Sequence, residues 1–450
     1  MNTRKRTNEE IYSQAVKVLP GGVSRNTIYR KPHPSYADKA NGCYVTDMDG
    51  IERVDFANNM ASLIHGHAHP AIVNAVIEQL HKGTAYTFGT ESEVLFAQHL
   101  CDRVPSFDKI RFVNSGTEAV MAMIKASRAF TGRPKIAKSE GAYHGTYDFA
   151  EVSQNVNPLN WGDEQNPNSV PLCYGTPKGV LDNVVIYHYN EIEKTLNILD
   201  KHKEEIAAVL IDPVSHRAGL MEANKDFVEA IFKWTRQNGA LLAFDEVITF
   251  RVGYSGAQEN YSVKPDITAM GKIIGGGFPV GAFAGREDVM KVFDPSEPKL
   301  LFPHSGTFSA NPITMTAGRV AMELFDKAAV TKLNALTMTA RKQIEQAITT
   351  VDVPVSITGA GSMFRLHLSA SVPKSYREAY QDKETLRILN TLIDHLYYKE
   401  KIIMVNTCAC MFSTVITQKE VDMLTEGMYN GLKLIKPELE KLHDNAQVKK

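Results

Sequence analysis

Two apolar runs, AAVLIDPV (207–214) and ALLAFDEV (240–247), constrain this chain more than any other feature. Neither alternates polar with apolar residues, so neither reads as a half-exposed strand. Uninterrupted runs of this length suit parallel strands covered on both faces. Strand-like and helical patterns alternate around them, which predicts an α/β layer architecture. Each run ends in carboxylates, at the edge where open α/β sheets bind ligands.

The neighbouring patterns extend this reading. Ile72, Val76 and Leu80 recur at helical spacing, with Gly83 as a stop. DKIRFVNSG reads as a buried strand, followed by a helix from about Thr117. Near the start, Thr7 and Glu10 form a capping-box pair, and CYVTDMDGIERVDF reads as a hairpin with Asp49-Gly50 as a type I′ turn. Beyond residue 320 the pattern changes to amphipathic helices at 332–349, 384–400 and 419–434, with strand-like pieces at 355–368 and 402–415. The expected division is an N-terminal segment of the small domain (1–60), a large domain (61–320) and an α+β C-terminal small domain (321–450).

Composition excludes several function classes. With 50 Lys+Arg against 51 Asp+Glu in 450 residues, the net charge of −1 offers no basic stripe for nucleic acid. No apolar run approaches the roughly 18 residues of a membrane span. The N-terminus, MNTRKRTNEE, has basic residues with no apolar stretch behind them, so a secretory leader is not expected. Five scattered cysteines make no disulfide framework, and a cytoplasmic setting follows. His65, His67 and His69 alternate in IHGHAHP, but no carboxylate or cysteine nearby completes a metal ligand set, and no metal is expected.

Five segments carry candidate chemistry. In VNSGTEAVMAM, Ser115, Gly116 and Thr117 link a strand to a helix, whose free N–H groups suit a phosphate. An ordinary capped turn has the same composition. In GAYHGTYD, Tyr143 suits stacking on a planar ligand with His144 beside it, or a turn with core aromatics. In FDEVITF, Asp245 follows a strand and suits a cationic group on a ligand, or the surface. In TAMGKIIGGGFPVGAFAGR, Lys272 precedes three glycines; a lysine in a dry pocket becomes a nucleophilic amine, whereas most lysines are solvated. HSGTFSANP (304–312) suits a second phosphate contact or is a plain loop. Taken in chain order, a phosphate cradle, an aromatic slab, an acid and a lysine are the needs of one cofactor, pyridoxal 5'-phosphate.

LPGGV, GHAHPAIVNAV, NSGTEA, FDEV, GKIIGGGFPVGAFAGR and GTFSANPITMTAG together resemble the class III aminotransferases, pyridoxal-phosphate enzymes of fold type I. The resemblance runs from about residue 10 to 435 and is nearest to the glutamate-1-semialdehyde aminomutase branch. PGGVSRNTIY and HSGTF also resemble β-amino-acid aminotransferases. The resemblance implies a mostly parallel sheet in the large domain and a shared-site homodimer. It implies that Lys272 is the Schiff-base lysine, that Asp245 pairs with the pyridine nitrogen, and that Val247 and Tyr143 flank the ring. Ser115, Gly116 and Thr117 match the phosphate cup. Thr307 matches a threonine that reaches the neighbouring subunit's phosphate, and Arg25 a substrate-carboxylate arginine.

The chain also departs from the pattern. The family's Glu-Pro pair is Asp212-Pro213 here, and Arg217 stands where aminomutases have an asparagine nearby. V-M-T-G-F-R is shortened to VITFRV, and MVNTCACMF carries Thr407 with neither arginine nor glutamate. Arg217 is therefore a second candidate for a substrate carboxylate, or a surface arginine. The expected function is amino transfer from a β-amino acid or related amine to a 2-oxo acid, in ping-pong fashion through pyridoxamine phosphate. The alternative is the intramolecular transfer of glutamate-1-semialdehyde 2,1-aminomutase.

Overall fold

The computed structural model describes residues 5–448, with side chains to residue 442. The first four residues of the basic N-terminus, on which the leader expectation partly rests, lie outside the described residues. Thr7 caps the first helix, Asn8–Ala15, in a complete capping box with Glu10. Strands β1 (Ala37–Asn41), β2 (Tyr44–Asp47) and β3 (Glu52–Asp55) form an antiparallel meander. The hairpin is where the sequence places it, but its turn is not type I′. Of Asp49 and Gly50 only Gly50 has positive φ. The loop is instead built on Asp47, whose Oδ1 accepts from the amides of Asp49 and Ile51, an Asx-type closure.

The centre is a seven-stranded sheet: β4 (Lys109–Val113), β5 (Lys135–Ser139), β6 (Val184–Tyr187), β7 (Ile206–Ile211), β10 (Leu241–Asp245), β11 (Ile267–Gly271) and β12 (Gly281–Gly285), in the order β4-β12-β11-β10-β7-β5-β6. Only β12 runs antiparallel to its neighbours. A small β8–β9 pair (Val214–Ser215 and Met221–Glu222) follows β7. The apolar runs are explained by two-sided burial. On β7, Ala208 and Leu210 pack in one cluster with Ala119, Val120 and Met123 of the helix Gly116–Thr131. Val209 and Ile211 pack in another with Phe227, Val228 and Ile231 of the helix Lys225–Asn238. No position along the strand faces water, so no polar residue interrupts it.

Past residue 320 the long helices are Lys327–Val351, Lys383–Tyr398 and Gln418–Val448. Strands β13 (Ser356–Thr358), β14 (Met363–His367) and β16 (Ala409–Met411) form an antiparallel sheet. Strand β15 (Ile402–Ile403) pairs with β3, so the N-terminal meander and the C-terminal segment share one sheet. Arg251 ties these parts together. Its guanidinium donates to Ser362 Oγ at 2.8 Å, to the Ala61 carbonyl at 3.3 Å and to the Phe412 carbonyl.

Ala61 closes an uncommon segment. Asn58, Asn59, Met60 and Ala61 all have positive φ (53, 45, 57 and 70°), a left-handed turn with no glycine in it. Such residues are strained by roughly 1–2 kcal/mol each and persist only where the surroundings over-determine them. Here Asp55 Oδ1 accepts from the amides of Ala57 and Asn58, while its Oδ2 meets His67 Nε2 at 2.9 Å. His65 is a strut, its ring nitrogens meeting Thr414 Oγ1 and the Ala321 carbonyl.

Candidate active site

The parallel strands deliver one functional residue after another to the same edge. Across β11, β10 and β7, their carboxyl ends place Lys272, Asp245 and Asp212 in a row. The turn after β4 adds Ser115–Thr117, and the segment after β5 adds Tyr143 and His144. These residues line a cavity of about 400 Å³, together with Asn59, Ser62, Val247, Ile248 and Phe278.

Each wall has a chemical character. Ser115 Oγ caps the helix by accepting from the Glu118 amide at 3.1 Å, which leaves its own hydrogen free to donate. The first-turn amides of Gly116 and Thr117 add donors and the positive end of the helix dipole. Gly116 leaves no room for a side chain, since a Cβ there would lie 2.7 Å from Val247 Cγ1. Gly145 is as tight, with Thr117 Oγ1 at 2.6 Å from such a Cβ.

Asp245 Oδ1 accepts from the Val247 amide at 3.0 Å, and its Oδ2 meets His144 Nδ1 at 2.7 Å. His144 is wholly buried and its Nε2 has no partner. Burial lowers the His144 pKa, against the opposing pull of Asp245. The neutral ring therefore donates from Nδ1, and a hydrogen bond to the carboxylate fixes that tautomer. Asp212 is also buried; desolvation, then the charge of Asp245, push its carboxyl well above the usual range. Burial likewise pulls the Lys272 amine below the lysine range, although Asp245 and Asp212 pull it back. Lys272 sits at φ 50°, a second strained position inside the site.

A dry amine, a carboxylate held by a neutral imidazole and a helix N-terminus opening on a slot suit one kind of guest. It is a small planar group with an anionic end, a basic ring atom and a carbonyl. A family model for class III aminotransferases matches residues 28–429. The chain belongs to the class III aminotransferases. The glutamate-1-semialdehyde 2,1-aminomutase of Methanothermobacter thermautotrophicus is 37% identical over 380 residues, 84% of this chain and 88% of that protein. An omega-transaminase from Sphaerobacter thermophilus is 42% identical with a TM-score of 0.93, covering 96% of this chain and 98% of that one. A solved transaminase with PLP bound is 36% identical at a TM-score of 0.87, covering 97% and 100%. The chain is thus a fold type I enzyme whose cofactor is pyridoxal 5'-phosphate, and the cavity fits that group.

Of the residues expected from sequence, Ser115, Gly116, Thr117, Tyr143, His144, Asp245, Val247 and Lys272 line the cavity together. Three do not. Thr307 is exposed and does not line this chain's own cavity. Arg25 is exposed but donates to Asn59 Oδ1 at 2.8 Å, which sets it one residue back from the cavity wall. Arg217 lies behind the wall, with weak contacts of 3.4 Å to the Gln154 carbonyl and Asn155 Oδ1. Sequence reasoning missed Asn59, Ser62 and Ile248. The only trace of Asn59 was a doubled asparagine, a residue type that tolerates the left-handed region.

Proposed function

We propose that this chain moves an amino group from a β-amino acid or related amine to a 2-oxo acid. In this reading Ser115, Gly116 and Thr117 hold the cofactor phosphate. Asp245, steadied by His144, holds a proton on the ring nitrogen. Tyr143 and Val247 confine the ring, and Lys272 meets the carbonyl end. The bound cofactor supplies a sink for the electron pair left when a substrate C–H is broken. Lys272 Nζ takes that proton from the carbon bearing the amine and returns it elsewhere, which its suppressed basicity permits at neutral pH. Arg25, anchored at the mouth by Asn59, clamps the donor carboxylate, a task that suits a planar guanidinium. Arg217 is a carboxylate ligand on the acceptor side.

The observation that carries the reading is the number of arginines about the cavity with no carboxylate of their own. Among the described residues neither Arg25 nor Arg217 forms an ion pair, although both stand near the pocket walls. A β-amino acid and a 2-oxo acid carry their carboxylates at different distances from the reacting carbon, so two clamps suit their exchange.

Intramolecular transfer, as in the aminomutases, is the second reading. The names of the curated relatives weigh toward it more than toward a β-amino acid donor: at 34–37% identity they are glutamate-1-semialdehyde 2,1-aminomutases. The two readings separate in one assay. A panel of β-amino acids and amines is incubated with and without pyruvate or 2-oxoglutarate, and glutamate-1-semialdehyde is incubated alone. Product that requires an oxo acid supports the first reading. Rapid turnover of the semialdehyde alone, with no donor accepted, replaces it with the second.

A homodimer belongs to the same proposal. Val73, Ile77 and Leu80 make an exposed apolar rank on the helix Pro70–Leu80, and Phe88 is 85% exposed. Large apolar surfaces of this kind mark interaction sites. A second copy covering them would also give the exposed Thr307 a phosphate to meet.

A further inference from the structure

One corner of the molecule holds more positive charge than its surroundings neutralise. Arg365 lies on β14 and is only 5% exposed. Among the described residues its side chain makes one hydrogen bond, from Nη1 to the His216 carbonyl at 3.4 Å, and its Nε is buried without a partner. Arg217 follows His216 in the chain and is equally free of carboxylates. Glu140, a buried acid of this region, is already taken by Arg377 in a two-pronged ion pair of 2.8 and 2.9 Å. Burial, with a smaller contribution from the nearby Arg217, lowers the Arg365 pKa to about 10.

The corner adjoins the reacting centre. His216 is desolvated and flanked by Arg365, Lys272 and Arg217, which hold its pKa down to about 3. Its own amide donates to Asp212 Oδ2 at 3.3 Å, and Asp212 lines the cofactor cavity. Ser215 Oγ on the same turn is buried and unpartnered. So is Thr407 Oγ1, two residues before Ala409, which pairs with Arg365 across the sheet. A buried guanidinium without a counter-charge is costly. One such guanidinium, with the half-buried Arg217 and spare hydroxyls next to a substrate cavity, forms a site for an anion.

We propose that Arg365, with Arg217, binds the carboxylate of the 2-oxo acid acceptor and thereby selects carboxylate-bearing acceptors over plain aldehydes and ketones. This rests on the aminotransferase reading above. Arg365 donates from Nε and the terminal nitrogens, Arg217 swings from its long contacts on 154–155 to complete the clamp, and Arg25 stays with the donor.

The test follows the two half-reactions of the holoenzyme separately by the cofactor spectrum. Arg365→Met should raise the pyruvate or 2-oxoglutarate concentration for half-maximal conversion by roughly thirtyfold or more, as expected for loss of a buried charged partner. The donor half-reaction should change at least about tenfold less. Arg365→Lys should recover part of the loss, since it keeps charge without the fork. Arg217→Met, at a more open position, reports on the same corner should Arg365→Met fail to hold cofactor. Unchanged acceptor saturation in the variants, with wild type transaminating normally, would mean the pair is structural. Should wild type use no oxo acid at all, the aminotransferase reading itself falls. Inhibition of semialdehyde turnover by succinate, compared between wild type and Arg365→Met, then decides the anion corner alone.

Discussion

Lys138 takes no part in the proposed chemistry, yet its amine is fully buried and donates to the carbonyls of Ala142 and Val152 at 2.9 and 2.7 Å. It thus clasps both ends of the loop that carries Tyr143 and His144. Two carbonyls ask for two hydrogens, and a neutral amine has two to give. Burial and then Arg217 bring its pKa down to about 7. An unfolded lysine titrates near 10.4, so from about pH 7 to 10 the unfolded chain binds more protons, and this group makes stability rise with pH across that window. Below about pH 7 both states are protonated and its penalty is greatest. Denaturant titrations from pH 6 to 10 should therefore show a shallower pH slope in Lys138→Met than in wild type. A second expectation concerns Lys272. Lys272→Ala should lose turnover by about 10²–10⁴ while still binding pyridoxamine phosphate in calorimetry, because the phosphate cup and Asp245 are untouched. Comparable turnover in that variant would remove the proton-transfer role assigned to its amine.

Between residues 116 and 131 a single helix packs against the sheet and opens its N-terminus on the cavity, and its first residue shows how tightly the two are joined. Gly116→Ala should weaken cofactor binding by roughly tenfold or more, since the new methyl must push aside Val247 on the cavity wall; cofactor titration of the variant checks this. At the far end of the helix Lys327–Val351, Asp352 caps in the left-handed region at φ 56° with its side chain almost fully exposed. Asp352→Gly should stabilise by about 0.5–1 kcal/mol, because glycine adopts that conformation without strain. A lower denaturation midpoint would contradict this. These elements also show what a sequence discloses. The run 240–247 was legible because two-sided burial writes an unbroken apolar stretch. The capped turn at 115–117 was legible because caps have a fixed chemistry. The Asp49-Gly50 turn misled because Asp47, two residues earlier, captured the amides. The left-handed turn 58–61 left no periodicity to detect, since its strain is held by Asp55 just before it and by Arg251, remote in the chain. Arg365 looked like any strand residue. Its significance lies in which acids are missing around it, a property of the folded neighbourhood and not of spacing.

For the molecule as a whole, sedimentation should give twice the mass of the single chain. Phe88→Asp should shift that equilibrium toward the monomer with loss of turnover, if Thr307 completes the partner's site. A fully active monomer would remove the shared-site proposal. The larger lesson of assembly comes from Arg251. One guanidinium gathers oxygens from the turn at 61, the turn at 362 and the residue just past β16 at 412, stretches that are not neighbours in the chain. None of those acceptors is charged, and burial alone brings its pKa down to about 9. Gene-shuffling experiments that splice C-terminal parts among relatives therefore meet an indivisible unit. A crossover between 251 and 362 that shifts the incoming backbone by even one ångström strands a buried cation. Recombination should succeed only where all three acceptors travel with their arginine or are rebuilt identically, so the practical seams for chimeras lie outside that clasp.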